Sequence, residues 1–326
     1  MLENILWPVV SLGIMSLVFG VGLALASKKF AVEIDPKVEE VRQVLPGANC
    51  GGCGFAGCDS YAEAVVAGEA SAAACPPGGS DVMAKIADIL GIPLDAQERN
   101  VASVMCAGPC TEENKKYQYH GIAGCRAVSM LSGGNKGCSY GCLGLGTCKN
   151  NCPFDAISIS GDGIAVVNED KCTGCGRCTE VCPRGIIQLV PASQGVRVLC
   201  SSKDRGKTVK EYCKVGCIGC QICVRACKFD AITFEDNLPK IDYDKCTGCM
   251  VCVEKCPTKS IHGDLSKRKT ASIDQDGCIG CTVCIKACKF DAIEGERKQK
   301  HKVLEDKCVG CGLCAVKCPK DAITIQ

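Results

Sequence analysis

Cysteines recur along this chain in tightly spaced runs, and their spacing constrains the fold more than any other feature. The 326 residues include 33 cysteines. Five runs share the pattern C-x2-C-x2-C-x3-C: Cys172, Cys175, Cys178 and Cys182; Cys217, Cys220, Cys223 and Cys227; Cys246, Cys249, Cys252 and Cys256; Cys278, Cys281, Cys284 and Cys288; Cys308, Cys311, Cys314 and Cys318. In such a run three thiolates bind one 4Fe-4S cluster, and the fourth binds the cluster of a partner run. The pattern therefore predicts 4Fe-4S clusters that are held in pairs.

Exchange of the fourth cysteine between partner runs predicts the ligands of six clusters. A sixth, longer run, Cys138-x3-Cys142-x5-Cys148-x3-Cys152, pairs with the run that begins at Cys172. The predicted sets are Cys138, Cys142, Cys148 and Cys182; Cys152, Cys172, Cys175 and Cys178; Cys217, Cys220, Cys223 and Cys256; Cys227, Cys246, Cys249 and Cys252; Cys278, Cys281, Cys284 and Cys318; Cys288, Cys308, Cys311 and Cys314. Tetrahedral zinc is the alternative, but zinc sites use two cysteine pairs rather than three cysteines in each run.

Nine cysteines lie outside these six runs. Four of them suit a seventh 4Fe-4S cluster, with zinc as the alternative because their spacing is less diagnostic: Cys50, Cys53, Cys58 and Cys75. The other five are either buried thiols that act as small hydrophobic side chains or ligands of an eighth cluster. That eighth set contains Cys106, Cys110 and Cys125 with Cys200 or, as the less favoured choice, Cys213.

Large aromatic side chains are scarce, so we expect metal sites, rather than a large apolar core, to stabilise much of the fold. The chain has one Trp, six Tyr and seven Phe. Disulfides could also organise such a chain, but they are typical of short secreted proteins. The three histidines, His120, His262 and His301, lie beside no candidate nucleophile, and the sequence shows no phosphate-binding loop. We therefore expect no catalytic residues for chemistry on an organic substrate.

The N-terminal segment predicts a membrane span. Asn4–Ser27 contains no charged residue, and a helix of this length rises about 36 Å, enough to cross the hydrocarbon layer. Lys28 and Lys29 follow at once, so the positive-inside rule places the rest of the chain in the cytoplasm. A cleaved signal peptide, with Ala24–Ala26 as its cleavage motif, is the alternative.

Internal repeats predict the architecture of the soluble part. Cys-Pro-Phe-Asp-Ala-Ile at 152–157 returns in close variants at 227–232, 288–293 and 318–323. Alternating stretches at 157–166 and 232–241 predict β-hairpins, and each cysteine run is expected to open a short helix. Asp35, Asp59 and Ser80 are candidate N-caps of helices before Gly91. The predicted fold class is α+β: anchor 1–28, helical 4Fe-4S domain 29–91, connecting segment 92–135, and ferredoxin modules 136–190, 215–262 and 263–326, with a linker at 191–214.

The single span, the Cys50–Cys75 segment and the serial ferredoxin-type modules together resemble the B subunit of Rnf complexes, the ion-translocating ferredoxin:NAD+ oxidoreductases. The resemblance covers nearly the whole chain, and the phrases at 50–54 and 138–144 are similar to those of the long form from anaerobes. Shorter members carry one two-cluster module. The resemblance implies a membrane-anchored protein that passes electrons between soluble ferredoxin and the other membrane and flavoprotein subunits, coupled to Na+ or H+ translocation. No nucleic-acid partner is expected.

Two basic runs, 267–269 and 297–302, flank the last module. Because ferredoxins are typically acidic, these runs are candidates for steering a docking partner. The alternative is a solvated lysine face that balances the charge of the clusters. Two other functions are compatible with the sequence: an electron-transfer subunit of another membrane redox enzyme, such as a hydrogenase, and a metal-stabilised scaffold.

Overall fold

The computed structural model describes three parts of the chain, residues 2–29, 35–93 and 98–326. Leu2–Lys29 forms one continuous helix (α1) with Lys28 and Lys29 in its last turn. Over Val9–Lys29 the mean hydropathy is 2.3, and its apolar window is not buried against the rest of the described chain. The predicted span therefore lies within a helix that is long and apolar enough to cross a bilayer.

Three helices form a small domain after the span: Pro36–Val44 (α2), Cys58–Val66 (α3) and Gly79–Leu90 (α4). The predicted N-cap of α2 is confirmed, because the N–H of Lys37 donates to Oδ1 of Asp35 at 2.9 Å. The predicted caps Asp59 and Ser80 are wrong, since both residues lie inside the first turns of their helices. A side chain nine residues earlier performs the capping of α3, where Oδ1 of Asn49 accepts from the N–H of Cys58 at 2.8 Å.

The core of this helical domain lies directly beside its cysteines. Val41, Tyr61 and Ile86 are at most 1% exposed. The Tyr61 hydroxyl donates to the carbonyl of Ser71 at 2.8 Å, which satisfies the one polar atom of that ring. Because buried Cys75 and half-buried Cys53 and Cys58 pack against these residues, the apolar core and the thiols form one cluster.

Three units with similar element order follow. The first unit contains Asn100–Val104 (β1), Cys125–Met130 (α5), Thr147–Asn150 (α6), Ile157–Ile159 (β2), Ala165–Val167 (β3), Arg177–Val181 (α7) and Ile187–Pro191 (β4). The second contains Arg197–Val198 (β5), Gly206–Tyr212 (α8), Ile222–Ala226 (α9), Ile232–Glu235 (β6), Leu238–Ile241 (β7), Val251–Lys255 (α10) and Ile261–His262 (β8). The third contains Ala271–Ile273 (β9), Val283–Ala287 (α11), Ile293–Glu294 (β10), Lys302–Val303 (β11), Leu313–Val316 (α12) and Ile323–Ile325 (β12). Single 3-10 turns occupy Pro76–Gly78, Glu112–Asn114 and Leu265–Lys267.

Each unit is built from two antiparallel strand pairs. One pair is local, β2–β3, β6–β7 and β10–β11, and the other joins the first strand of the unit to its last, β1–β4, β5–β8 and β9–β12. The hairpins predicted at 157–166 and 232–241 are confirmed by the first two local pairs. Between the second and third cysteine of every regular run a short helix begins, as the repeats predict.

Two segments that the sequence treats as connections supply strands to the units. In the segment 92–135, β1 pairs with β4 over five residues, from Asn100 opposite Pro191 to Val104 opposite Ile187. In the segment 191–214, β5 pairs with β8. The described first and second units therefore begin earlier in the chain than the cysteine spacing alone indicates.

A tight turn explains the aspartate of the repeated phrase. Asp155, Asp230, Asp291 and Asp321 all have left-handed backbone conformations, with φ of 48°, 53°, 51° and 49°. Aspartate tolerates this conformation better than most residues. The alanine and isoleucine that follow are buried in every copy. The turn therefore directs an alanine and an isoleucine inward, four and five residues after the cysteine that begins each phrase.

Candidate metal centres

Four cavities in the three units are each lined by four cysteines. Each cavity is small, with a volume of about 10 or 20 Å³. Site 1b is lined by Cys125, Cys142, Cys148 and Cys182; site 2a by Cys217, Cys220, Cys223 and Cys256; site 3a by Cys278, Cys281, Cys284 and Cys318; and site 3b by Cys288, Cys308, Cys311 and Cys314. Each cavity thus gathers donors from two different cysteine runs, and site 1b gathers one more from α5.

Three further groups of four thiols come together. In each group burial raises the pKa of one thiol, Cys75, Cys178 or Cys252, and its three partners raise it further, to about 12 for the last two. The groups are site N, with Cys50, Cys53, Cys58 and Cys75; site 1a, with Cys152, Cys172, Cys175 and Cys178; and site 2b, with Cys227, Cys246, Cys249 and Cys252. Thiols that raise one another's pKa in this way are close neighbours, which is the arrangement that a shared inorganic core requires.

The thiols in these sites fit 4Fe-4S clusters. All 33 cysteines lie in the described ranges, and none of them forms a disulfide. Among the described residues, no three His, Cys, Asp or Glu side chains converge on a point as the ligands of one metal ion do. Ligands of a four-iron core are instead spread around it, one thiolate to each iron. Four thiols gathered from two cysteine runs, as at sites 2a, 3a and 3b, are a donor set of this kind.

Backbone N–H groups point at several of the ligand sulfurs. The N–H of Ala102 donates to Sγ of Cys172 at 3.3 Å, and the N–H of Ala292 donates to Sγ of Cys288 at the same distance. Hydrogen bonds of this kind stabilise a thiolate and tune the reduction potential of the cluster that it binds.

Two side chains with basic nitrogen atoms, His301 and Lys136, are buried among the thiols. His301 is 1% exposed, and its Nδ1 lies 3.7 Å from Sγ of Cys278 and 3.6 Å from Sγ of Cys284. Lys136 is 4% exposed, with its Nζ 3.8 Å from Sγ of Cys106. Burial lowers the pKa of Lys136, but the neighbouring thiols, Cys106 foremost, more than reverse that effect. The sequence places His301 only in the basic run 297–302, and nothing in the sequence singles out Lys136.

Comparison with known domains places iron-sulfur sequences over the same segments. A model for a 4Fe-4S dicluster domain matches residues 139–189 and 271–325. A second model with the same description matches 216–260 and 245–292, and a model for an Fe-S cluster matches 45–77. The matched residues include most of the cysteines that line the seven sites.

Comparison with whole proteins reaches further along the chain. The B subunit of the Na(+)-translocating ferredoxin:NAD(+) oxidoreductase complex of Acetobacterium woodii is 49% identical over 272 residues, which are 83% of this chain and 82% of that protein. The B subunit of the ion-translocating oxidoreductase complex of Methanosarcina acetivorans is 44% identical over 74% of this chain and 92% of its own length. The B subunit of the proton-translocating ferredoxin:NAD(+) oxidoreductase complex of Clostridium ljungdahlii is 42% identical, over 74% and 85%. The chain belongs to this family of B subunits.

Six of the seven sites in this B subunit contain the four cysteines that the sequence predicts, and site 1b does not. Cys125 lines that site, whereas Cys138, the predicted ligand, is not part of the lining. The N–H of Cys125 donates to Oγ1 of Thr147 at 2.8 Å, which holds α5 beside Cys148. The dicluster match also begins at residue 139, after Cys138. The irregular loop lengths around Cys142 are the sequence signal that the first ligand comes from elsewhere.

Of the four cysteines named first for an eighth cluster, one lines a different site. Cys125 belongs to site 1b, and the thiol of Cys110 donates to the carbonyl of Cys142 at 3.0 Å. Cys106 and Cys200 lie outside the lining of site 1b. The structure thus assigns different surroundings to members of that predicted set.

The sites of this B subunit follow one another in space. Burial raises the pKa of Cys175 in site 1a, and Cys50 of site N raises it further. A Cβ at Gly52 would lie 2.9 Å from the carbonyl oxygen of Cys175, so the helical domain touches the first unit at this point. Site 1a also lies next to site 1b. Burial raises the pKa of Cys178 in site 1a, and Cys148 of site 1b is among the thiols that raise it further.

The second and third units continue this series. Cys223 of site 2a contributes, after burial and two nearer thiols, to the raised pKa of Cys252 in site 2b. Burial raises the pKa of Cys311 in site 3b, with a further contribution from Cys249 of site 2b. Sites 3b and 3a then share the third unit. Buried Cys314 of site 3b and Cys284 of site 3a pack in one cluster, so the sites follow in the order 2a, 2b, 3b, 3a.

A pair of lysines joins the second and third units, at the positions that Pro153 and Pro319 occupy in the other two copies of the repeat. Lys228 and Lys289, which follow Cys227 and Cys288, each donate through Nζ to the other's backbone carbonyl. Nζ of Lys228 lies 4.6 Å from the ring centroid of Phe290, and Nζ of Lys289 lies 5.1 Å from that of Phe229. This reciprocal cation–π contact holds site 2b next to site 3b.

Proposed function

We propose that this chain relays single electrons along a series of 4Fe-4S clusters, as the membrane-anchored B subunit of a ferredoxin:NAD+ oxidoreductase complex. The observation that carries the proposal is the succession of four-thiol sites, from site N in the helical domain through the three units to site 3a. Each of the three units is a two-cluster ferredoxin module, so the chain holds at least seven clusters.

The side chains of this protein bind, orient and shield the clusters. Thiolates hold the iron, backbone N–H groups such as that of Ala102 neutralise part of the sulfur charge, and the buried Ala and Ile of each repeat exclude water. When bound, the clusters supply one-electron chemistry, with potentials near roughly −400 mV in a ferredoxin-like setting. No acid–base residue is required for such transfer.

The proposed topology places the clusters on the cytoplasmic side of the cell membrane. Lys28 and Lys29 end α1 immediately before the helical domain, and basic residues remain on the cytoplasmic side of a span. Soluble ferredoxin then has access to the modules, and the lipid bilayer surrounds α1. One span does not form an ion path, so translocation belongs to the other subunits.

The ion named for the complex differs between relatives of this chain. The relatives from Acetobacterium woodii and Clostridium ljungdahlii are named as sodium-translocating and proton-translocating, although this chain is similar to both. This similarity to both is expected if the B subunit carries electrons only. It also favours the proposed complex over a hydrogenase.

Anaerobic isolation of the full chain tests the proposal. We expect at least about 28 iron atoms per chain for seven clusters, reduction by dithionite with the EPR signals of reduced clusters, and reduction by ferredoxin. A folded chain that is colourless and that neither reductant changes would contradict the proposal and would favour a scaffold.

A further inference from the structure

Five cysteines remain outside the seven sites: Cys106, Cys110, Cys138, Cys200 and Cys213. They are separated by up to 107 positions in sequence, so their spacing alone does not group them. The fold nevertheless brings four of the segments that contain them together between the first and second units.

The segments around Cys106 and Cys200 run side by side. The N–H of Ala107 donates to the carbonyl of Leu199 at 3.0 Å. On the other side of the two cysteines, Oγ of Ser201 donates to the carbonyl of Met105 at 2.8 Å. Because these two bonds flank both cysteines, Cys106 and Cys200 are held next to each other.

The segments around Cys138 and Cys213 meet the same place. A Cβ at Gly137 would lie 3.2 Å from Cβ of Tyr212, so the residues that follow them, Cys138 and Cys213, are neighbours. A Cβ at Gly108 would lie 2.8 Å from Sγ of Cys213, which connects this pair to the Cys106 segment. Because Gly108 has no side chain, the sulfur of Cys213 can pack against its backbone.

Neighbouring thiols give the same grouping. Burial raises the pKa of Cys138, and the thiols of Cys106 and Cys213 raise it further. Burial also raises the pKa of Cys200 to about 11, and Cys138 is one of the thiols that add to it. Cys138 thus lies at the centre of a group of four thiols.

Cys110 is left over, although it also lies near Lys136 and Cys106. Its thiol donates to the carbonyl of Cys142, and a Cβ at Gly163 would lie 2.9 Å from Cβ of Cys110. A half-buried thiol that already has a hydrogen-bond partner requires no metal. Eight sets of four cysteines account for 32 of the 33, and Cys110 is the remaining one.

The buried ammonium group of Lys136 is an independent sign of negative charge at this place. Its Nζ donates to the carbonyls of Gly108 at 2.6 Å and Cys142 at 3.0 Å and lies 3.8 Å from Sγ of Cys106. Among the described side chains, no carboxylate lies within salt-bridge distance of it. A buried charge requires a counter-charge, and thiolates around an iron-sulfur core would supply one.

We propose that Cys106, Cys138, Cys200 and Cys213 form a bridging site that holds an additional 4Fe-4S cluster and carries electrons between sites 1b and 2a. Cys142 of site 1b follows Cys138 by four residues, and the N–H of Cys217 in site 2a donates to Sγ of Cys200 at 3.3 Å. Within the described residues, contacts link every pair of successive sites except 1b and 2a. The bridging site lies between those two. This inference rests on the proposed electron-relay function.

Iron counting on the full chain and on two variants tests the bridging site. We expect about 32 iron atoms per wild-type chain. The variant Cys213→Ser is expected to lose about four of them, with circular dichroism and the remaining EPR signals unchanged. Cys110→Ser is the matched control, because it removes a nearby half-buried thiol that the bridging site does not use, and it is expected to keep all the iron.

Three results would overturn the inference. One is a wild-type chain with about 28 iron atoms that ferredoxin still reduces, which would leave the relay function intact. The second is loss of iron from Cys110→Ser but not from Cys213→Ser. The third is a folded Cys213→Ser chain with unchanged iron. If Cys213→Ser does not fold, the wild-type iron and sulfide count decides, whereas a chain without reducible iron would contradict the relay function itself.

Discussion

His301 contacts two ligand sulfurs of one site without being a ligand itself. Its ring lies against Cys278 and Cys284 of site 3a, and Nε2 is buried without a hydrogen-bond partner among the described residues. A Cβ at Gly295 would overlap the ring, so glycine at 295 makes room for it. As cluster ligands the sulfurs are thiolates that only accept, so Nδ1 carries the hydrogen.

We predict that His301→Phe makes the reduction potential of the site 3a cluster more negative. The variant keeps a ring of similar shape but removes an N–H donor that stabilises the more negatively charged, reduced state. A hydrogen bond worth about 1 kcal/mol corresponds to roughly 40 mV for one electron. Redox titration followed by EPR measures the shift.

Two control variants separate hydrogen bonding from packing at this position. His301→Gln retains a side-chain N–H and is expected to restore part of the potential. His120→Phe changes an exposed histidine outside the seven sites and is expected to have no effect. An unchanged potential in a folded His301→Phe chain would show that the contact does not tune the cluster.

At the scale of elements, β1 stabilises the first unit from outside its cysteine runs. Val101 is fully buried, and Val190 opposite it on β4 is 2% exposed. Both pack in the cluster that contains Cys172, Cys178 and the half-buried Cys182. The strand pair therefore forms the apolar wall behind sites 1a and 1b.

We predict that Val101→Ala destabilises the first unit by about 2 kcal/mol, because it removes two buried carbons and leaves a cavity. Clusters should then be lost at a lower temperature, as seen in the visible absorbance during anaerobic heating. Val166→Ala, on β3 of the same unit, is the control. Its side chain is 48% exposed, and an effect within about 0.5 kcal/mol is expected. Equal effects of the two variants would contradict a structural role for β1.

Local features of this chain were predictable from sequence, and distant ones were not. The regular runs and the two hairpins depend on residues within about ten positions, where spacing and alternation carry the signal. The cap of α3 by Asn49, the pairing of β1 with β4 and the place of Cys125 in site 1b depend on distant contacts. The irregular run that begins at Cys138 follows the local pattern least, and it is where the predicted ligands and the structure differ.

At the scale of the whole molecule, the basic run 297–302 lies over the last site of the series. His301 points inward to site 3a, whereas Arg297, Lys298 and Lys302 are exposed. This arrangement places positive charge on the surface directly above a cluster. An acidic ferredoxin attracted to this surface would approach site 3a, which is the last site in the order that begins at site N.

We predict that changing Arg297, Lys298 and Lys302 to Gln slows reduction by ferredoxin about tenfold or more at low ionic strength, because electrostatic steering is lost. The rate should also depend less on salt, since salt screens the interaction that the variant has removed. Stopped-flow absorbance measures the second-order rate constant. The matched control changes Lys207, Lys210 and Lys214 to Gln, which removes the same number of exposed charges near α8. If both variants show the same salt dependence as the wild type, the basic run is a solvated face and ferredoxin docks elsewhere.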